Sequence, residues 1–241
     1  MTKQIVVPDF IARDGHIVLE VTRESDYGGA DVDPREQDPL GRMVCWHRRN
    51  KFGVEPHDRN VTSDYELAAI LASILAEELN LDSDQKVNVE EYNSSQRLAD
   101  IIARHTKAVI LPVYLLEHSG MWMSTDRREF DMVDPGSWDH GQVGIVYATT
   151  KDMKKFLGVQ EITDDVREQA KAILKSEIRR YSMYLQGDVY SFNLMNEETE
   201  EDIDSCGGIY AEDLDELKVE LKDDLPDGYR YLADKLDYNG Q

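Results

Sequence analysis

The sequence predicts an α+β fold, or a mixed α/β arrangement, as one globular domain over residues 1–241. Its mixed or antiparallel sheet is packed by three to five helices. Two observations carry this reading. Segments of helical and strand periodicity alternate irregularly, with no internal repeat and no linker-like break in composition. Residues 163–210 supply the clearest unit, a long amphipathic helix that feeds a strand, a charged turn and a second strand.

In chain order, residues 16–24 (HIVLEVTRE) alternate Ile17, Leu19 and Val21 with Val18, Glu20 and Thr22, a strand pattern. The stretch SDYGGADVDPREQDPLGR is a long Gly-, Pro- and Asp-rich loop, in which Asp31 and Asp33 are either solvated or a chelating pair. MVCWHRR, residues 43–49, reads as a strand with Cys45 and His47 on one face. That neighbourhood admits a thiol activated by imidazole, but neighbours two apart share a strand face by geometry, and core packing of Cys45 is the simpler reading. Residues 62–80 form a helix capped by Thr62 or Ser63, with Leu67, Ile70, Leu71, Ile74, Leu75 and Leu79 on its apolar face. Residues 82–92 are a polar excursion with Val87 and Val89 on a short strand. Residues 94–106 form a helix capped by Ser94 or Ser95.

AVILPVYLLEHS, residues 108–119, is the most apolar run and suits a buried strand, except that Pro112 offers no ladder donor; an edge position or a bulge reconciles the two. MWMST follows through Ser119-Gly120 as a hairpin partner. After a loop at 128–142, GIVYATT (144–150) is a strand and KDMKKFLG a short helix. The long helix then starts at Thr163, with Asp164 and Asp165 at its positive end. It carries an apolar stripe of Val166, Ala170, Ile173, Leu174, Ile178, Tyr181 and Leu185, and stops at Gly187. Tyr190, Phe192 and Leu194 mark the next strand. The C-terminal part holds the amphipathic helix AEDLDELKVEL, a Pro-Gly break and a terminal helix, YRYLADKLDY.

The net charge is −22, and residues 196–241 hold 4 basic and 16 acidic side chains, −12 of that total. Such a field repels nucleic-acid backbone and attracts basic surfaces, so direct nucleic-acid binding is not expected. Two cysteines in no metal-binding spacing point to a reducing cytoplasm. No apolar run approaches the ~20 residues that cross a bilayer, and the N-terminus lacks a signal peptide's apolar core.

Phosphate-loop, dinucleotide, nucleophile-elbow and helical metalloprotease motifs are all missing, and no cofactor is expected. Three stretches hold candidate chemistry. Asp131, Asp134, Asp139 and His140, joined by His118, offer oxygen and imidazole ligands that could hold Mg2+ or Mn2+ for phosphoryl hydrolysis, although Asp is common in turns for local reasons. Cys206, followed by two glycines, is a nucleophile candidate, set against a bulge that makes room for a neighbour. The turn NEETEEDID presents Glu197, Glu198, Glu200, Glu201, Asp202 and Asp204 to a basic partner in the manner of a DNA mimic, or is a solvated turn.

The blocks DPREQDPLGRMVCWHRR, LPVYLLEHSG with MWMST, SWDHGQVGIVY, YLQGDVYSFNL and DSCGGIY span most of residues 33–210. Through them the chain resembles a widespread family of uncharacterised proteins encoded by bacteriophages and other mobile elements. The resemblance implies a phage or plasmid accessory protein acting in the bacterial host cytoplasm. Gln37 stands where family members carry Trp and His140 where they carry Ser, which weighs against a metal role for His140. The expectation is a non-enzymatic protein that binds a basic host or defence component, with a small metal-dependent hydrolase as the alternative.

Overall fold

A computed structural model of the chain describes residues 7–24, 33–54, 56–57, 60–81, 87–92 and 94–240. Asp31 lies outside them, so the pairing with Asp33 does too. The fold is α+β, and the strands divide into two antiparallel sheets instead of one. The first elements are β1 (Phe10–Asp14), β2 (Ile17–Arg23), β3 (Arg42–Cys45), α1 (Asp64–Glu78), α2 (Val89–Tyr92) and α3 (Ser95–His105). Then come β4 (Val109–Glu117), β5 (Met121–Ser124), α4 (Arg128–Asp131), β6 (His140–Ala148), α5 (Thr150–Leu157) and α6 (Asp164–Gln186). The chain closes with β7 (Val189–Asn196), β8 (Glu201–Tyr210), α7 (Leu214–Asp224), α8 (Tyr231–Asp234) and β9 (Asp237–Tyr238). Two compact units result, one from residues 1–34 with 180–241, the other from 35–179.

The first unit is the sheet β8-β7-β2-β1-β9. Leu19 faces Leu194 and Val21 faces Phe192 across β2 and β7. These four side chains are buried together with Leu217, Leu221 and Leu225 of α7 and its end, and with Leu232 and Ala233 of α8. Leu217 and Leu221 recur at helical spacing, and burying each such side chain is worth about 1.5–3 kcal/mol. Asp213 starts α7 by accepting the Glu216 N–H. Strand β1 was not anticipated from the sequence, though Asp14-Gly15 is a hairpin signal, and Gly15 takes φ +61° in the turn that pairs Asp14 with Ile17. The expected terminal helix is only one turn. Leu236 drops into the core, and β9 pairs with β1, where the Tyr238 and Phe10 rings lie 4.9 Å apart.

The second unit is the sheet β3-β6-β4-β5, packed by α1 and α3. Leu71, Ile74 and Leu75 of α1 and Leu98 and Ile102 of α3 meet Val44, Ile145 and Tyr147. Ser63 and Ser94 cap the two helices, accepting the Glu66 and Arg97 N–H groups. Strand β4 pairs with β6 from Val109 to Leu116 but with β5 only from Tyr114 to Glu117, so Pro112 lies where the β5 side carries no ladder, next to a bulge at Val113/Tyr114. The hairpin to β5 turns through Ser119 at φ +61°.

Two strand expectations do not hold. The strand through MVCWHRR ends at Cys45: the His47 N–H turns back to Cys45 Sγ at 3.3 Å, and Asn60 Nδ2 donates to the carbonyls of His47 and Asn50. Cys45 and His47 therefore do not stand side by side on a strand face. Cys45 is a buried free cysteine, and burial pushes its thiol up. Val89 begins the one-turn helix α2 rather than lying on a strand, because Asn88 Oδ1 accepts the Glu90 N–H and starts the turn.

Thr163 Oγ1 accepts the Val166 N–H to start α6, and Gly187 ends it at φ +76°. Ala170, Leu174, Ile178 and Tyr181 of its stripe are buried. Among the described residues no helix is long and apolar enough to cross a membrane.

Candidate functional site

The acidic turn is built by pairing β7 with β8. Asn196 Oδ1 accepts the N–H groups of Glu198 and Thr199 at 3.0 and 3.4 Å, and Glu200 closes the turn at φ +56°. The Glu197 N–H donates to the His16 carbonyl, and its carboxylate pairs with Arg13 at 2.6 Å, while Glu198 lies 3.6 Å from His16 Nε2. These exposed pairs are worth no more than about 1 kcal/mol each. Glu200, Glu201 and Asp202 have no ion-pair partner among the described residues. Asp204 Oδ1 takes its neighbour's Ser205 N–H. Strand β8 is an outer strand, and its far edge carries no strand partner among the described residues.

Cys206 stands exposed on β8. Desolvation first, then the Asp224, Asp204 and Glu24 carboxylates, push its thiol up, the reverse of an activated nucleophile. The glycines after it have a packing reason. Gly208, at φ +73°, donates its N–H to Glu24 Oε1 at 2.7 Å, and a Cβ on Gly207 would meet the same oxygen at 2.7 Å. The register of β7 and β8 shifts here, so the Gly-Gly pair is a bulge seated on Glu24.

The loop carboxylates come together around the start of β6. Asp134 Oδ2 accepts the Asp139 N–H at 2.8 Å, the His140 N–H at 3.2 Å and His140 Nδ1–H at 2.9 Å. The Asp139 N–H, more than any other group, holds the Asp134 carboxyl below its usual value, with the Trp138 backbone and His140 adding to it. The His140 ring is buried, and its Nε2 comes within 3.3 Å of Asp131 Oδ1 but off a hydrogen-bond line, leaving that nitrogen without a hydrogen bond. Asp131 is bound by Arg127 at 3.2 Å, and Asp139 by His118 Nδ1 at 3.0 Å. The sequence candidates thus meet as two linked pairs that organise the loop. Among the described residues no three His, Cys, Asp or Glu side chains are arranged to hold a metal ion.

Two features had no local sequence signal. A cleft of about 640 Å³ in the second unit is lined by Trp46, His47, Asn60, Asp64, Ser95 and Gln142, among others, drawn from separate segments. Several of its polar groups are paired within the walls, since Trp46 Nε1 donates to the Gln142 carbonyl and Asp64 takes the Ser95 hydroxyl, but the buried Asn60 Oδ1 has no hydrogen-bond partner among the described residues. The second is the loop after α4, where Met132 and Trp138 are each 89% exposed and Val133 is 69% exposed. The sequence shows three large apolar residues around Pro135-Gly136, but residue type alone does not reveal exposure. No protein-family model matches the chain, and comparisons with curated proteins and with solved structures find no significant match.

Proposed function

We propose that the chain is a non-enzymatic accessory protein of a phage or other mobile element. In this reading it acts in the bacterial cytoplasm and binds a basic host or defence protein through the β7–β8 hairpin. The observation that carries it is the hairpin tip, with Glu200 in the turn and Glu201 and Asp202 at the start of the outer strand β8, all without ion-pair partners among the described residues. They belong to the stretch 196–241, whose net charge is −12 with these groups included. A field of this sign raises encounter rates with a cationic partner by about 10- to 1,000-fold at low salt. Engagement of Asp131, Asp134 and Asp139 in loop hydrogen bonds, and a Cys206 thiol that desolvation and nearby carboxylates push up rather than activate, support binding over catalysis.

The test is affinity purification from a bacterial host with the native chain and with a variant carrying Glu197→Gln, Glu198→Gln, Glu200→Gln, Glu201→Gln and Asp202→Asn. The native chain retains a basic protein at low salt and releases it as salt rises, whereas the variant loses it. The same partners at the same salt for both proteins would overturn the reading.

A further inference from the structure

We propose that the loop Met132–Trp138 is a preformed anchor that seats Met132, Val133 and Trp138 in an apolar pocket with a cationic rim on a partner protein. This goes beyond the hairpin reading and rests on a different surface. Exposure is the first observation: three large apolar side chains within seven residues stand 69–89% exposed, a local concentration of apolar surface of the kind that marks interaction sites. Trp and Met are also among the residues that interfaces favour.

The loop is ordered before any partner arrives. The Ser137 N–H donates to the Asp134 carbonyl at 3.0 Å across the Pro135-Gly136 turn, and Ser137 takes φ +49°. Arg127 bridges Asp131 and Ser137 Oγ, and Asp134 gathers the backbone of Asp139 and His140. A Cβ on Gly136 would sit 2.1 Å from the Trp138 ring, so glycine lets the indole lie over the turn. A loop fixed this way pays little ordering entropy on binding, which is the condition for a few side chains to carry an interface.

Charge selects the occupant. Residues 126–139 carry Asp126, Glu129, Asp131, Asp134 and Asp139 against Arg127 and Arg128, a net −3. An anionic bilayer repels that sign, and a second copy would bring the same sign to the contact. A different protein with basic groups around an apolar pocket complements it.

The full chain carries a photo-crosslinking p-benzoylphenylalanine at Trp138 or Val133 and, as an exposed control, at Tyr65 on α1. It is irradiated in bacterial cytoplasm, and the captured protein is then purified and titrated. The expected result is a basic protein crosslinked from 138 and 133 but not from 65. Its Kd rises tenfold or more with Trp138→Ala, while the thermal midpoint of the variant stays that of the native chain. An adduct of the chain with itself overturns the proposal. So do sedimentation with phosphatidylglycerol vesicles that Trp138→Ala abolishes, the absence of a selective adduct, and a Kd change below tenfold. The five-residue hairpin variant is titrated alongside. Loss there with Trp138→Ala unaffected leaves the hairpin reading and removes this one; the reverse removes the hairpin reading alone.

Discussion

Glu177 offers the sharpest test of how the 35–179 unit is held together. Its carboxylate reaches from α6 to accept the N–H of Leu40 at 2.7 Å through Oε1 and of Gly41 at 2.9 Å through Oε2. Glu177→Ala leaves two donors without partners where Leu40 is 3% exposed. At about 1–3 kcal/mol for each stranded buried donor, the gross loss is about 2–6 kcal/mol. Part of this is returned, because burial pushes the Glu177 carboxyl above its usual value and the alanine variant no longer desolvates a charge. The net expectation is about 2–4 kcal/mol, a large share of an ordinary 5–15 kcal/mol stability. Glu177→Gln keeps one acceptor and turns an amide N–H toward the other donor, so it falls between. All three tryptophans lie within residues 35–179, so urea unfolding followed by tryptophan fluorescence reports this unit. The sign of the pH effect follows from the raised folded value. Relative to Glu177→Gln, the native carboxyl favours folding most below its unfolded value near 4.5, and that advantage fades as pH rises through the folded value. A Glu177→Ala loss under about 1 kcal/mol, or a native-to-Gln difference that grows with rising pH, would refute the reasoning.

Three further outcomes follow. Asp134→Asn should speed amide hydrogen exchange at Asp139 and His140 tenfold or more. In the native chain their protection is present above about pH 4 and is lost as pH falls through the lowered Asp134 value, since the bonds need the carboxylate. Gly208→Ala should cost about 1–2 kcal/mol from its positive φ although its side is open. Gly207→Ala should cost less, because Glu24 can swing away; thermal melts followed by far-UV circular dichroism separate them. With neutral iodoacetamide at pH 7.5, Cys206 should alkylate more slowly than free cysteine and Cys45 only after unfolding, counted by mass spectrometry.

Elements whose signals are local were legible. Thr163, the α6 stripe and Gly187 lie within one 25-residue stretch, and the caps Ser63 and Ser94 precede their own helices. What escaped depends on distant partners. Strand β9 exists because Tyr238 meets Phe10, and Glu177 is structural because it meets Gly41, 136 residues away. The Asp131–His140 cluster was visible as composition. Its role was not, because only geometry shows that Asp134 spends its oxygen on two backbone N–H groups and an imidazole. Trp138 escaped for the opposite reason, since nothing local tells an outward indole from a core one.

The ten-residue strand β8 has a further consequence for how copies of this protein coexist at high concentration. An unpaired strand edge is a template on which another chain can add, and two register shifts with a row of carboxylates are what interrupt it. The shifts persist at any pH, but the charge does not. Near the isoelectric point of about 4.5 the mutual repulsion vanishes while the edge remains. Acidification toward that point should therefore bring on sheet-to-sheet association, which light scattering alongside far-UV circular dichroism registers as aggregation that precedes unfolding.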